Sequence, residues 1–168
     1  MMIKSRASRP PTRAHLFTSE QFIPSPLETV FAFFSDATNL ERLTPPWLGF
    51  NMVTPTPIEM RPGALIDYKL SIRGIRVSWR TEIVDWQPNR RFVDVQLRGP
   101  YKSWVHTHVF EAHEGGTLIR DEIEYQIAFG FLGSVVNRLV VARDLERIFA
   151  YRMQQTARFF ATGLSSDT

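Results

Sequence analysis

From Arg13 to Ile127 the chain consists mostly of short runs in which apolar and polar residues alternate, and beyond Gly133 the spacing becomes helical. Alternation rich in β-branched and aromatic residues predicts strands. The runs are Arg13–Ile23, Phe50–Thr54, Leu65–Ile72, Val77–Trp86, Phe92–Leu97, Trp104–Glu111 and Leu118–Ile127. Ile66, Tyr68 and Leu70 share a face, as do Val77, Trp79, Thr81 and Ile83, then Phe92, Asp94 and Gln96. Ile119, Asp121, Ile123, Tyr125 and Ile127 share another. In the first run the residues do not fix the phase. Arg73-Gly74, Pro88-Asn89, Gly99-Pro100 and Glu114-Gly115 supply turns, so the strands join as an antiparallel sheet.

Two helical signals interrupt the series. Ser25-Pro26-Leu27-Glu28 has the form of a capping box with proline at the first helical position, predicting a helix from Pro26 to about Ser35. Asp36 caps a second short helix that ends before Pro45-Pro46. The closing helix is predicted from about Ser134 to Ala161, with Val141, Ala142, Leu145, Phe149, Phe159 and Phe160 as its apolar stripe. Asn137, Asp144, Arg147, Gln154 and Arg158 lie opposite. A helix with one apolar stripe must lie on the sheet. The expected fold is α+β: a curved antiparallel sheet of seven strands around a long C-terminal helix, with two short helices after the first strand. A basic, disordered tail over residues 1–12 precedes a single domain over 13–162.

The run Trp104 to Glu111 carries the chemistry. Trp104, His106, His108 and Phe110 fall on one face, so two imidazoles accompany two large aromatics inward. Centring a turn on Gly99-Pro100 sets Asp94 opposite His106 and Gln96 opposite Trp104. A two-residue turn at Glu114-Gly115 sets His108 opposite Asp121 and Trp104 opposite Tyr125. Both registers place carboxylates beside imidazoles, and a one-residue slip would undo this. Arg152 falls within the helix's apolar stripe; a charge there needs a partner, and Asp94 and Asp121 are the inward carboxylates.

Composition narrows the classes. The 20 Lys and Arg against 17 Asp and Glu leave a net charge of +3. Much of the excess lies in the tail, and no basic stripe of a nucleic-acid binder is seen. There is no cysteine, which excludes disulfides and thiolate chemistry and suits a cytoplasmic location. No secretory leader is seen at the N-terminus, and no apolar run reaches the ~20 residues of a bilayer span. The expected partner is a hydrophobic small molecule. No nucleic acid and no integral membrane contact are expected, though transient contact with a membrane surface is compatible, as are a monomer or a homodimer.

The order of elements resembles the helix-grip fold of the START-related superfamily, also called SRPBCC, which includes the major birch-pollen allergen, START lipid-transfer domains, polyketide cyclases and quinone-binding proteins. The resemblance spans Arg13 to Phe160 and is nearest a bacterial ligand-binding, cyclase/dehydrase-like branch. It rests jointly on Thr44–Phe50 (T-P-P-W-L-G-F), Pro57–Tyr68, Phe92–Gln96 (F-V-D-x-Q), Gly99–Glu111, Gly115–Thr117 and Ile148–Arg152 (I-F-x-Y-R). It implies a cavity for a hydrophobic small molecule and assigns no reaction.

Three roles compete for the inward polar residues. In the first, Asp94, Gln96, His106, His108, Asp121, Tyr125 and Arg152 form a structural network. In the second they are the polar end of an apolar pocket walled by Tyr68, Trp79, Trp104, Tyr125 and Phe149, gripping a lipid, quinone or polyketide-like compound for binding, transport or presentation. In the third, His106, His108, Asp94 and Asp121 are catalytic candidates for a cyclase, dehydratase or isomerase working by acid–base pairs. A metal on His106, His108 and Asp121 has the weakest support, and no metal or cofactor is expected. The entrance is expected at the loop after Gly63, at Gly130–Gly133 and near Trp47.

Overall fold

A computed structural model describes residues 14–127 and 140–163. The expected tail, the Gly130–Gly133 loop, Asn137 and the first residues of the expected closing helix lie outside them. The strands are β1 (His15–Ile23), β2 (Asn51–Met52), β3 (Leu65–Ile72), β4 (Ile75–Gln87), β5 (Arg91–Arg98), β6 (Ser103–His113) and β7 (Gly116–Gln126). They form one antiparallel sheet ordered β1-β7-β6-β5-β4-β3-β2. Helix α1 (Leu27–Ser35), a 3₁₀ turn (Ala37–Asn39), α2 (Leu40–Leu43) and a second 3₁₀ turn (Pro46–Leu48) separate β1 from β2, and α3 (Ala142–Gly163) closes the fold. Register shifts at Arg80/Thr81 and Ile83/Asp85 bend the long strand β4.

In β6 and β7 the alternation read from sequence is the burial pattern. In β6, His106, His108 and Phe110 are buried while Val105 and Glu111 are exposed. In β1 the undecided phase resolves with Phe17, Ser19 and Ile23 inward and Leu16 and Phe22 exposed. Tight turns hold the registers: His113 pairs with Gly116 across a two-residue loop whose Gly115 has φ +77°, a conformation suited to glycine.

Two local expectations are corrected. The capping box does not form: Pro26 is itself the N-cap, and no side chain bonds there. Ser25 is buried instead, its carbonyl accepting from Thr117 Oγ1 at 2.9 Å, so tying the helix entry to β7 outweighs the cap. Gln96 does not face Trp104, because the β5–β6 ladder ends at Val95–Val105. Its amide closes the turn, Nε2 donating to Tyr101 O at 2.8 Å and Oε1 accepting from Tyr101 N at 3.3 Å. Asp36 does cap the following turn, accepting from Thr38 N at 2.9 Å.

Helix α3 is fixed to β1 by Gln21 Nε2 donating to Met153 O at 2.8 Å. Its buried stripe is Leu145, Phe149, Thr156 and Phe160, while Phe159 lies at the edge, stacked on Phe33 at 4.2 Å. Among the described residues no helix is long and apolar enough to cross a membrane.

Candidate functional site

The sheet and α3 enclose a cavity of about 490 Å³. Its apolar walls come from Ile66, Tyr68 and Leu70 of β3, Trp79 of β4, Trp104 of β6, and Ile148 and Phe149 of α3. Tyr68 and Trp79 stack at 6.0 Å, and Trp104 meets Trp79 edge-on at 5.4 Å. Of its lining residues, Trp47, Arg73, Gly74 and Arg147, the last at the start of α3, are exposed to solvent. Arg73 holds Asp144 through two hydrogen bonds of 3.0 Å. Sequence reading missed this clamp because 71 positions separate its members. It also missed Thr81, whose hydroxyl accepts from Trp79 Nε1 at 3.1 Å within the wall. Its inward phase was the signal.

At the inner end two imidazoles lie between two carboxylates. The registers are those expected: Asp94 opposite His106, His108 opposite Asp121 and Trp104 opposite Tyr125. The hydrogen bonds run diagonally across them. His106 Nε2 bonds Asp121 Oδ1 at 3.0 Å, and His108 Nε2 bonds Asp94 Oδ2 at 3.3 Å. The remaining nitrogens face the other carboxylate. His108 Nδ1 is 2.7 Å from Asp121 Oδ1 but out of line for a hydrogen bond, and His106 Nδ1 is 3.7 Å from Asp94 Oδ2. The two rings lie 3.7 Å apart, with Phe92 stacked on His108 at 4.2 Å.

Electrostatics separate the two histidines. Burial and the neighbouring His108 hold the His106 imidazole below its ordinary range, against its bond to Asp121. Burial acts downward on His108 too, but its contacts with Asp121 and Asp94 outweigh that and raise it. Burial would raise Asp121, yet its bonds to both histidines hold it well below the carboxylate range. Burial pushes the Tyr68 phenol up. A carboxylate that orients an imidazole poises it for proton exchange or for binding a polar atom.

Of the residues singled out from sequence, Tyr68, Trp79, Asp94, Trp104, His106, His108, Phe149 and Arg152 line the cavity. Asp121 lies behind the imidazoles, Tyr125 packs with Ile123, Ile127 and Leu145, and Gln96 closes its turn. The expected charge pairing of Arg152 is corrected: no carboxylate of the described residues lies within ion-pair distance. Its guanidinium sits over Phe34 and Phe149, at 5.5 and 5.7 Å from the ring centres, and its buried Nε has no hydrogen-bond partner. The diagonal histidine bonds occupy the carboxylates instead.

The family model described as "Polyketide cyclase / dehydrase and lipid transport" matches residues 14–160. The chain belongs to this family. Its sequence matches no curated protein. Among solved structures, the di-domain ARO/CYC StfQ from the steffimycin biosynthetic pathway is similar over 90% of this chain and 52% of that one, with TM-score 0.69 and 15% identity. Ara h 8.0201 is similar over 89% of this chain and 99% of that one, with TM-score 0.63 and 14% identity. A nucleoside-diphosphate sugar epimerase from Corynebacterium glutamicum is similar over 84% of this chain and 28% of its own, with TM-score 0.60 and 29% identity. Membership of the polyketide cyclase/dehydrase and lipid transport family accords with hydrophobic ligand binding as the general role of the cavity.

Proposed function

We propose that the protein binds an apolar molecule with an oxygen-bearing end, of the lipid, quinone or polyketide-like class, in the cavity beneath α3. The carrying observation is the cavity's polarity: aromatic and aliphatic walls end on Asp94, His106, His108 and Arg152, and the buried Nε of Arg152 has no hydrogen-bond partner among the described residues. Pockets of this make-up bury the apolar body of a ligand and orient it through a few polar groups. A buried guanidinium Nε with no hydrogen-bond partner favours an occupant that supplies an oxygen.

The test uses the tryptophans of the wall. Trp79 and Trp104 fluorescence is followed while the protein is titrated with a naphthoquinone and, separately, a long-chain fatty acid. Saturable quenching by the quinone, or saturable fluorescence change with the acid, supports the reading when it weakens about tenfold in Arg152→Met, equivalent to ~1.4 kcal/mol. No saturable response to either, in protein shown to be folded, would sink it. So would binding that Arg152→Met leaves unchanged.

A further inference from the structure

We infer that Asp94, His106 and His108 form a site for a divalent transition-metal ion, with Asp121 as its outer support. Asp94, His106 and His108 each offer one ligand atom, and these atoms lie within 4.8 Å of one another. Asp94 Oδ2 is 3.3 Å from His108 Nε2 and 3.7 Å from His106 Nδ1. An ion bonded at about 2.1 Å to each of three tetrahedral ligands needs separations of about 3.4 Å, so these two bracket the requirement.

The rest of the cluster is arranged as a metal's outer shell would be. His106 turns its other nitrogen, Nε2, to Asp121 Oδ1 in a 3.0 Å hydrogen bond, and His108 Nδ1 lies 2.7 Å from the same oxygen, close to it but out of line for a hydrogen bond. A ligating histidine commonly donates its second nitrogen to a carboxylate, which fixes the tautomer and leaves the first nitrogen's lone pair for the ion. With its proton on Nε2, His106 presents Nδ1 unprotonated, and that atom makes no hydrogen bond among the described residues. The three ligating residues line the cavity and Asp121 does not, so a fourth position would open towards the ligand space. Two imidazoles and one carboxylate with an open position suit zinc or iron(II) rather than calcium or magnesium. Asp94 and Asp121 together offset the ion's charge, with Arg152 as the nearby opposing cation.

The experiment treats the purified full chain with a chelator, then titrates Co²⁺ while recording its visible d–d spectrum and, separately, Zn²⁺ by calorimetry. The expected result is one ion per chain and a tetrahedral-type Co²⁺ spectrum. Affinity should fall about 10–100-fold in Asp121→Asn and by at least as much in Asp94→Asn. His113→Ala, which removes an imidazole outside the cavity, should bind as the parent does. Should the aspartate variants fail to fold, paramagnetic broadening by Co²⁺ in the unaltered protein decides, because it must centre on His106 and His108. A folded parent that takes up no ion overturns the inference. So does uptake that the folded Asp94→Asn protein retains, or broadening centred on His15 or His113.

Discussion

The two ends of the space between sheet and α3 are built from the same strands, yet one is filled and the other hollow. At the filled end Phe31, Phe33 and Phe34 of α1 enter beside Phe92, Phe110, Ile119 and Phe160. Phe31 alone lies against Trp86, Phe92 and Phe110, with ring centres 5.4, 6.2 and 5.2 Å away. At the hollow end Tyr68, Trp79, Trp104 and Phe149 line a cavity instead. Arg152 marks the border, with one neighbouring ring, Phe34, from the filled side and another, Phe149, from the hollow side. The difference divides the space: one end is packed core, and the other holds the cavity of the proposed ligand.

The sharpest way to break that division is truncation at the filled end. Phe31→Ala removes a ring that is 5% exposed and touches three others. It should cost about 3–5 kcal/mol, because a packed aromatic core collapses only partly around the void. Equilibrium denaturation in urea measures this. A loss below ~1 kcal/mol would mean that the filled end does not anchor the fold.

This division was only partly legible in the sequence. The strand phases after the first, the seven-stranded sheet and the pairing of Asp94 with His106 and His108 with Asp121 follow from period-2 patterning and two short turns. These are local signals, and a register error would have exposed Phe110 and Ile123. Which end is hollow did not follow, since Phe31 and Trp79 look equally core-forming until α1 is placed. The diagonal hydrogen bonds were hidden too, because backbone register sets which residues are neighbours but not the rotamers that choose between them. Arg152 was correctly seen as out of place in an apolar stripe; its lack of a carboxylate depends on those same rotamers. Thr117's bond to Ser25 spans 92 positions and overrode a strong local capping signal.

Enlarging a side chain at each end sharpens the comparison. Ile119→Phe, at a site 2% exposed in the filled cluster, should cost about 1–3 kcal/mol as overpacking does. Ile148→Phe faces the cavity of about 490 Å³ and should cost less than ~1 kcal/mol, while abolishing the fluorescence response to a quinone or fatty acid. Equal costs in a denaturation experiment would show that the cavity is not open space available to a side chain.

At the border, Arg152→Met should leave stability unchanged or raise it by about 1 kcal/mol, since an apolar chain of similar reach replaces a charge without an ion-pair partner. The thermal midpoint without added ligand measures this. A drop equivalent to ~2 kcal/mol or more would assign Arg152 to the structural network and remove the main polar argument for an oxygen-bearing ligand.

The smallest effect is expected outside both ends. On the outer face of β3 and β4, Arg80 grips Asp67 through bonds of 2.8 and 2.9 Å, behind the Tyr68–Trp79 pair of the hollow end. The bond from Arg80 holds the Asp67 carboxyl below its ordinary range. A depressed carboxylate stabilises the fold above the unfolded-state value and loses that contribution as pH falls through the folded value. Asp67→Asn should therefore lower the thermal midpoint slightly at neutral pH, and the gap from the parent should close on acidification through the carboxylate range. Added salt should shrink it, because solvent screens an exposed pair. A large, salt-insensitive loss at neutral pH would show that the hollow end, unlike the filled one, depends on its outer face for the shape of its wall.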